Sequence, residues 1–380
     1  MSEQRNAANS DPPTAAGRTR RGFLTAAGAA SVAALAGCTG VGGSGDGGGD
    51  GSGGDGDDGG DGSGGDGDDG GDGSGSAPGD GDMMIFHAGS LAPPFSAAEP
   101  QFEDETGIAV TREPKGSVAS TKKITRQGRK ADVLGVSDFR LIRNRVLPEY
   151  GSWYGIFATN AMSIQYREDS KGAGDISTDN WWEVLSRDGV TIGHADPAVD
   201  PGGYRAVMSQ QLGAIEFDGS RLYDDATYQK LRENSVVPTG TETKLEGQLK
   251  SGKLDYAIYY QSISSTTDLP FIDLQPEVDL SKATTEYAKH YARAKVETDS
   301  GTFTGAPIAY GLTVPSVAES PELGARWIEY FATKPGRDIL KNKGLQPVSP
   351  IVVPKSGEDA VPERVMQHAS AKSNLGPLEL

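Results

Sequence analysis

Three short turns of small residues are the parts of this sequence best suited to bind an anion. They are Ala88-Gly89-Ser90, Gly116-Ser117 and Pro201-Gly202-Gly203. Each lies between a segment with strand character and one with helix character, so its N–H groups belong to a helix N-terminus, which carries about half a positive charge. None contains a basic residue, although Lys115 and Arg205 flank two of them. The pattern predicts an anion held by neutral dipoles rather than by salt bridges.

Each turn also has an ordinary structural explanation. A serine at the start of a helix usually caps it, and two glycines after a proline usually form a tight turn. The turns alone therefore leave a binding role and a purely structural role open.

The turns lie in a chain whose apolar residues alternate between strand and helix spacing. A strand is predicted at 83–87, followed by a helix with Phe95 and Phe102 on its apolar face and Gly107 at its end. Further strands are predicted at 108–112, 131–136, 191–194 and 255–260, and further helices after 117, 203 and 244 and at 323–331. This alternation predicts an α/β fold with mainly parallel sheets in two lobes, in which ligands bind beyond the carboxyl ends of the strands.

Composition excludes several classes of protein. The chain has 380 residues, a net charge of −17, one cysteine and four histidines. One cysteine excludes a disulfide framework, and the scattered histidines exclude a zinc cluster. No apolar run reaches the roughly 20 residues needed to span a bilayer. The negative charge argues against nucleic acid as a partner.

The first 38 residues have the pattern of an export signal. Arg20 and Arg21 precede a short apolar stretch at 23–37, as in a twin-arginine signal. The stretch ends in Leu35-Ala36-Gly37-Cys38, a pattern typical of a lipoprotein cleavage site. We therefore expect export by the twin-arginine route, lipidation of Cys38 and anchoring on the outer face of the cell membrane.

Residues 39–82 consist mainly of Gly, Asp and Ser. They hold 12 Asp and no Lys, Arg or Glu, and the segment at 49–59 recurs at 60–70. Calcium-binding nonapeptide arrays have a period of nine and an apolar residue in each turn. The repeat at 49–70 has a period of 11 and no apolar residue, so it does not match them. Such a composition predicts a disordered, self-repelling tether.

The remaining chain resembles the archaeal molybdate/tungstate-binding proteins of ABC importers, a branch of the type II periplasmic-binding-protein fold. The resemblance implies two lobes, expected at 83–164 plus 263–380 and at 165–262, with hinges near 163–166 and 260–264. The segments that carry it, in order, are FHAGSLAPPF (86–95), EPKGSVAS (113–120), KADVLGVSDFRLI (130–142), WYGIFATNAMSIQY (153–166), NWWEVLSRDGVTIGHADPAVDPGGYR (180–205), LKSGKLDYAIYYQSIS (249–264) and APIAYGLTVPS (306–316).

The resemblance implies four donors to an oxyanion. Ser90 and Ser117 match the two serines of the family's site, Gly202 matches a backbone donor, and Tyr260 matches the site tyrosine. The family usually has a cysteine where this chain has Gly202. That change is expected to be harmless if only the backbone donates.

The resemblance also implies that Asp200 and Glu242 are two carboxylates directed at the metal atom of the guest. Without it, Asp200 reads as a helix cap and Glu242 as an exposed acid. Two anions about 4 Å apart repel by about 1 kcal/mol in water and by more in a shielded cleft. Hexavalent molybdenum and tungsten can offset this by accepting extra oxygen ligands, whereas sulfur and phosphorus stay four-coordinate. The pair is therefore expected to select against sulfate.

The resemblance implies a monomeric binding protein that captures molybdate or tungstate and delivers this small oxyanion to a membrane permease and its ATPase. No resident cofactor is expected. Binding of another oxyanion, such as sulfate or phosphate, is the alternative within the same class. An adhesin or sensor on a stalk is a different class. An enzyme is not expected, because the sequence lacks nucleophile-elbow, zinc-protease and P-loop motifs.

Overall fold

The computed structural model describes residues 82–379. The predicted export signal with Cys38, and the predicted tether up to residue 81, lie outside the described residues. Among the described residues, no helix combines the length and hydrophobicity that crossing a bilayer requires.

The described chain alternates strands and helices along most of its length. Its strands are β1 (Met83–Ala88), β2 (Val110–Lys115), β3 (Val133–Val136), β4 (Gly155–Thr159), β5 (Met162–Tyr166), β6 (Ile192–Ala195), β7 (Ser235–Thr239), β8 (Tyr256–Tyr260), β9 (Phe271–Asp273), β10 (Lys295–Thr298), β11 (Gly301–Thr304), β12 (Ala309–Thr313), β13 (Gln346–Pro354) and β14 (Ala369–Lys372). Its α-helices are α1 (Ala92–Thr106), α2 (Ser117–Thr125), α3 (Trp181–Leu185), α4 (Pro201–Gly213), α5 (Asp225–Glu233), α6 (Leu245–Lys250), α7 (Gln261–Ser264), α8 (Pro276–Asp279), α9 (Thr285–Tyr291), α10 (Pro321–Ala332), α11 (Lys334–Asn342) and α12 (Glu363–Met366).

Within residues 82–379 the strands form two large sheets, one in each lobe. The first has the order β14-β13-β4-β12-β3-β1-β2, and the second the order β7-β6-β8-β5-β9. Strand β1 runs parallel to β2 and β3, and β6 runs parallel to β7 and β8. Strands β12 and β5 run antiparallel to their neighbours. The predicted two-lobed α/β fold is confirmed. Each sheet has as many antiparallel as parallel strand pairs, rather than mainly parallel ones.

The lobe boundaries differ from those predicted. Strand β4 belongs to the first sheet and β5 to the second, so the chain changes lobe at 160–161 rather than at 164–165. Strand β9 pairs with β5, so the second sheet continues beyond residue 262 and the chain rejoins the first sheet at β12. The predicted hinge at 163–166 is therefore a strand of the second sheet. The reason is antiparallel pairing between β5 and β8, which apolar periodicity does not reveal.

The core of the first lobe holds the turn that contains Ser90. Helix α1 places Phe95 and Phe102 against Trp327 of α10, with ring centroids 5.3 and 5.0 Å apart and the rings nearly perpendicular. Gly107 ends α1 in the left-handed region at φ 70°, which favours glycine. The predicted helix is confirmed. It packs against α10 and directly follows the turn Gly89–Leu91 that leaves β1.

Helix α4 is buried almost all round rather than along one apolar face. The sequence predicts a single face with Tyr204, Leu212 and their neighbours, but Arg205 and Gln210 on the other sides are buried as well. The helix contacts strands β6 and β8, helix α8 and the hairpin formed by β10 and β11. Polar residues of α4 therefore lie inside the protein, where they need partners.

Candidate functional site

The candidate site lies where the carboxyl ends of β1 and β6 face each other between the lobes. Strand β1 runs into a 3-10 turn, Gly89–Leu91, which contains Ser90. Strand β6 leads to Asp200, the N-cap of α4. Ser90 and Asp200 are both about 1% exposed. Both residues therefore lie at the edge of the sheet where the rule for parallel strands expects a ligand.

Asp200 is both a helix cap and a member of a carboxylate pair. Its Oδ1 accepts a hydrogen bond from the Gly202 amide at 2.8 Å, while its buried Oδ2 has no hydrogen-bond partner. The cap that the residue type predicts is thus present, and one oxygen remains available. Because the Gly202 N–H already serves this cap, donation from Gly202 to an anion would compete with Asp200.

Glu242 lies directly against Gly202 in a 3-10 turn, Glu242–Lys244. A β-carbon on Gly202 would overlap with Glu242 Oε2 and would lie 3.2 Å from Asp200 Oδ1. Glu242 is 1% exposed, and neither of its oxygens has a hydrogen-bond partner. The glycine therefore makes room for a second buried carboxylate beside the first.

Burial makes both carboxylates costly to ionise. Burial raises the pKa of Asp200, although the amides of Gly202 and Glu242 oppose the shift. Burial and then the charge of Asp200 raise the pKa of Glu242 well above its usual range, against a smaller opposing effect of the Ser90 hydroxyl and amide. An unpartnered buried carboxylate is costly to the fold, which favours a functional explanation for the pair.

The two predicted serines line the first-lobe side of the site. Ser90 Oγ accepts from the Tyr310 hydroxyl at 2.9 Å, and Ser90 faces Glu242. Ser117 Oγ lies 3.1 Å from Ser137 Oγ and accepts from the Ser137 amide at 3.0 Å. Both serines are buried with a hydroxyl at the cleft between the lobes, so the structure brings them together with Asp200 and Glu242.

A second contact closes the cleft beside Ser117. A β-carbon on Gly116 would overlap with the carbonyl of Val199, the residue before Asp200. The Ala119 amide donates to the same carbonyl at 3.3 Å. The turn at Gly116 thus touches the other lobe directly, and only glycine permits this approach.

Tyr260 completes the set at the end of β8. Its ring is fully buried and lies 5.9 Å from the ring of Tyr310. Burial raises the pKa of Tyr260, the Arg205 guanidinium opposes this, and Glu242 and Asp200 add to the rise. Tyr260 therefore stays a neutral phenol that can donate a hydrogen bond.

A buried cation lies beside the predicted donors. Arg205 is 1% exposed, its Nη1 donates to the Tyr260 hydroxyl oxygen at 2.5 Å, and its Nη2 lies 3.5 Å from Asp138 Oδ2. Arg205 follows the turn Pro201-Gly202-Gly203 in the sequence. Because α4 is buried on nearly all sides, the Arg205 side chain lies inside the protein. Arg205 thus puts a buried positive charge next to the predicted donors.

Sequence reasoning missed four further residues around the site: Asp138, Tyr204, Ser137 and Tyr310. Asp138 and Ser137 follow strand β3, so the rule that selected Ser90 and Asp200 would also have selected them. Tyr310 lies inside β12, and no local signal distinguishes it from a core tyrosine. Among residues 82–379, no cluster of three or more His, Cys, Asp or Glu is placed to hold a metal ion by itself. The carboxylate pair can therefore complete a coordination shell but not build one.

Comparison with known proteins identifies the scaffold. The family model described as bacterial extracellular solute-binding protein matches residues 83–346. The chain belongs to this family. It is therefore a solute-binding protein of the type that serves an ABC importer with its membrane permease and ATPase, and the family is one of transport proteins.

Two relatives and one solved structure illustrate the similarity. An uncharacterized solute-binding protein of Methanoculleus marisnigri is 35% identical over 323 residues, which cover 77% of this chain and 87% of the relative. The molybdate/tungstate-binding protein WtpA of Pyrococcus abyssi is 33% identical over 298 residues, covering 71% and 86%. The periplasmic molybdate-binding protein of Azotobacter vinelandii shares the fold with a TM-score of 0.52 at 15% identity, covering 70% of this chain and 98% of that one.

Proposed function

We propose that this extracellular solute-binding protein captures molybdate or tungstate between its lobes and delivers it to the permease and ATPase of an ABC importer. The observation that carries the proposal is the pair formed by Asp200 and Glu242, of which three oxygens have no hydrogen-bond partner. The similarity to WtpA of Pyrococcus abyssi, a molybdate/tungstate-binding protein, supports the same ligand.

The four donors would surround the oxygens of the guest. Ser90 and Ser117 offer hydroxyls from the first lobe, and Tyr260 offers one from the second. The Gly202 amide at the N-terminus of α4 would join them by giving up its bond to Asp200. Hydrogen bonds to a charged oxygen contribute more than those between neutral groups. Donors on both lobes also mean that the guest stabilises the closed form, because it bonds to both lobes only there.

The carboxylates would set the choice among oxyanions. Sulfate and phosphate keep four oxygens around the central atom, so beside Asp200 and Glu242 they would meet only repulsion. Molybdenum and tungsten accept further oxygen ligands, so Asp200 Oδ2 and a Glu242 oxygen can bind the metal atom of the guest. The attraction then replaces the repulsion, and the site rejects sulfate.

Calorimetry on the purified full chain tests this choice. We expect tungstate and molybdate to bind and sulfate not to compete. The variants D200N and E242Q should each lose tenfold or more in affinity for tungstate and should bind sulfate better than the parent. E246Q is the matched control, because Glu246 pairs with Lys250 on the surface.

Two results would contradict the proposal. Unchanged sulfate rejection in both variants would remove the role of the carboxylates, and tighter binding of sulfate or phosphate than of tungstate would favour the alternative oxyanion. X-ray absorption at the tungsten edge adds an independent measurement. More than four oxygen neighbours are expected, and a four-coordinate tungsten atom would rule out coordination by the pair.

We also propose that the chain is exported by the twin-arginine route, anchored to the membrane through a lipid on Cys38, and active as a monomer. A family of extracellular proteins supports export in general. Replacing Arg20 and Arg21 by lysine should block export, and C38A should release the protein from the membrane fraction. Light scattering during size-exclusion chromatography should give the mass of one chain.

A further inference from the structure

Arg205 reaches from the second lobe to the first and also touches a predicted ligand donor. Its side chain is 2% exposed. The Nη1 group donates to the Ser137 carbonyl of the first lobe at 2.7 Å and to the Tyr260 hydroxyl oxygen at 2.5 Å. The buried Nη2 has no hydrogen-bond partner. Arginine is rarely buried so completely, so the position of this guanidinium calls for a functional explanation.

The chemistry of a guanidinium decides the direction of the bond to Tyr260. Arginine has five donor hydrogens and no acceptor, so the Tyr260 oxygen must accept. With its oxygen occupied as an acceptor, Tyr260 has its own proton left to give. The Tyr260 ring lies 5.9 Å from the ring of Tyr310, whose hydroxyl donates to Ser90. The phenol therefore lies beside the first-lobe side of the site, where it can give this proton to a bound oxyanion.

The positive charge of Arg205 is only partly neutralised by Asp138, its neighbour in the first lobe. Asp138 binds Arg140 through both oxygens, at 2.9 and 2.7 Å, and accepts from the Tyr204 hydroxyl at 2.7 Å. Arg205 Nη2 is farther away, 3.5 Å from the same carboxylate. Two guanidinium groups therefore share one carboxylate, and the surplus charge lies on the side of Tyr260.

We propose that Arg205 is a positioning residue that holds the Tyr260 hydroxyl as a hydrogen-bond donor to the bound oxyanion. The inference rests on the proposed function and adds a residue that acts through Tyr260 rather than by touching the guest. It also explains why an arginine can lie beside the site without forming a salt bridge to the anion. The two Nη1 hydrogens are taken by Ser137 and Tyr260, and Nη2 faces Asp138 at 3.5 Å. The effect of Arg205 therefore reaches the guest through the phenol.

A double-mutant cycle with tungstate as the probe tests the inference on the full chain. The variant Y260F should bind tungstate about tenfold to hundredfold more weakly, as for loss of a hydrogen bond to a charged group. R205M should show a loss of similar size. The double variant should be no more than about threefold weaker than R205M alone, because the second change removes a donor that is already misplaced. R205K keeps the positive charge but lacks the planar guanidinium with its two parallel donors. It should therefore recover only part of the tungstate affinity that R205M loses.

Y259F is the matched control for Y260F. Tyr259 is the preceding residue of β8, is fully buried and donates to Gln165 on the opposite face of the sheet. The Y259F variant should be less stable than the parent but should bind tungstate at most threefold more weakly.

A spectroscopic measurement separates positioning from general damage to the fold. When 3-fluorotyrosine replaces tyrosine, the fluorine resonance of Tyr260 is assigned as the one that is missing from the spectrum of Y260F. It should shift when tungstate is added to the parent and shift by less than half as much in R205K, while the other resonances stay in place. Additive losses in the cycle, or an unchanged shift in R205K, would overturn the inference alone. If the parent binds neither tungstate nor molybdate, the proposed function fails first, and the inference falls with it.

Discussion

Glu242 occupies the space that a side chain on Gly202 would fill. A β-carbon there would overlap with the carboxylate oxygen Oε2. The family that the sequence resembles usually has a cysteine at this position, a change expected to be harmless if only the backbone donates. In this chain, any side chain on residue 202 must share its space with Glu242.

The first prediction follows from this contact. G202A should leave the free energy of unfolding within about 1 kcal/mol of the parent, because the obstructing atom is the end of a flexible side chain and alanine favours a helix. Affinity for tungstate should fall by about tenfold, since Glu242 is displaced. Urea unfolding and calorimetry measure the two effects. The control G247A has no atom within 4 Å of the new β-carbon, so it should keep full affinity.

The second prediction concerns the contact between Ser300 and the second lobe. Ser300 Oγ donates to the Ala198 carbonyl at 2.6 Å and accepts from Lys122 at 2.8 Å, so it links the β10–β11 hairpin to both lobes. S300A should weaken tungstate binding by about fivefold, as one hydrogen bond contributes about 1 kcal/mol. Small-angle scattering should show a larger radius without ligand. T302A, an exposed change in the same hairpin, should alter neither quantity, and equal effects of both variants would refute a closing role for Ser300.

The third prediction concerns a buried charge cluster. Burial alone would raise the pKa of Asp138, but the charges of Arg140 and Arg205 hold it below its usual range. D138N would leave both guanidinium groups without a countercharge, so it should cost about 3–5 kcal/mol of unfolding free energy. Chemical denaturation measures this loss. D169N removes an exposed partner of Arg167 and should cost less than about 1 kcal/mol; a similar loss in both variants would contradict the assignment.

The fourth prediction concerns two histidines in equivalent places of the two lobes. His87 of β1 and His194 of β6 each hold Nδ1 against the carbonyl of the next residue, at 2.7 and 2.8 Å. Burial lowers the pKa of each to about 4, although the carbonyl contact opposes the shift. Between pH 6.5 and about 4 the unfolded chain binds these protons and the folded chain does not, so stability should fall as the pH falls.

Each histidine contributes up to about 3 kcal/mol to this acid loss. Urea unfolding at several pH values should show a shallower slope over this window in H194Q than in the parent. The comparison between variant and parent is needed because buried carboxyl groups with raised pKa, such as Asp279, shift the slope in the opposite direction. An identical slope in both proteins would contradict the prediction.

Local patterns were sufficient for much of the fold. Apolar spacing identified α1 and the strands that precede the three turns, because those elements follow their own periodicity. The order of the turns at strand ends then indicated the edge at which Ser90 and Asp200 lie. The second boundary of the lobes was not predictable in the same way, because it depends on pairing between β5 and β9, which are far apart in sequence.

The cation beside the site shows the limit of local reasoning most clearly. Arg205 follows Tyr204 in a helix whose pattern predicts one apolar face and an exposed remainder. The hairpin and α8 contact α4 from distant parts of the chain, and Arg205 itself is covered by Ser137 and Asp138 of the first lobe. Asp138 could have been found as a strand-end residue, but its role in holding two arginines could not.

The position of β1 affects how the protein bears mechanical load. The strand begins at Met83 and lies between β2 and β3, hydrogen-bonded in parallel to both. A pull applied through the residues that precede Met83 acts along the strand and loads these bonds in shear, so many must break together rather than one after another. If the chain is anchored at this end, as proposed for Cys38, the first sheet would therefore resist such a pull without unravelling.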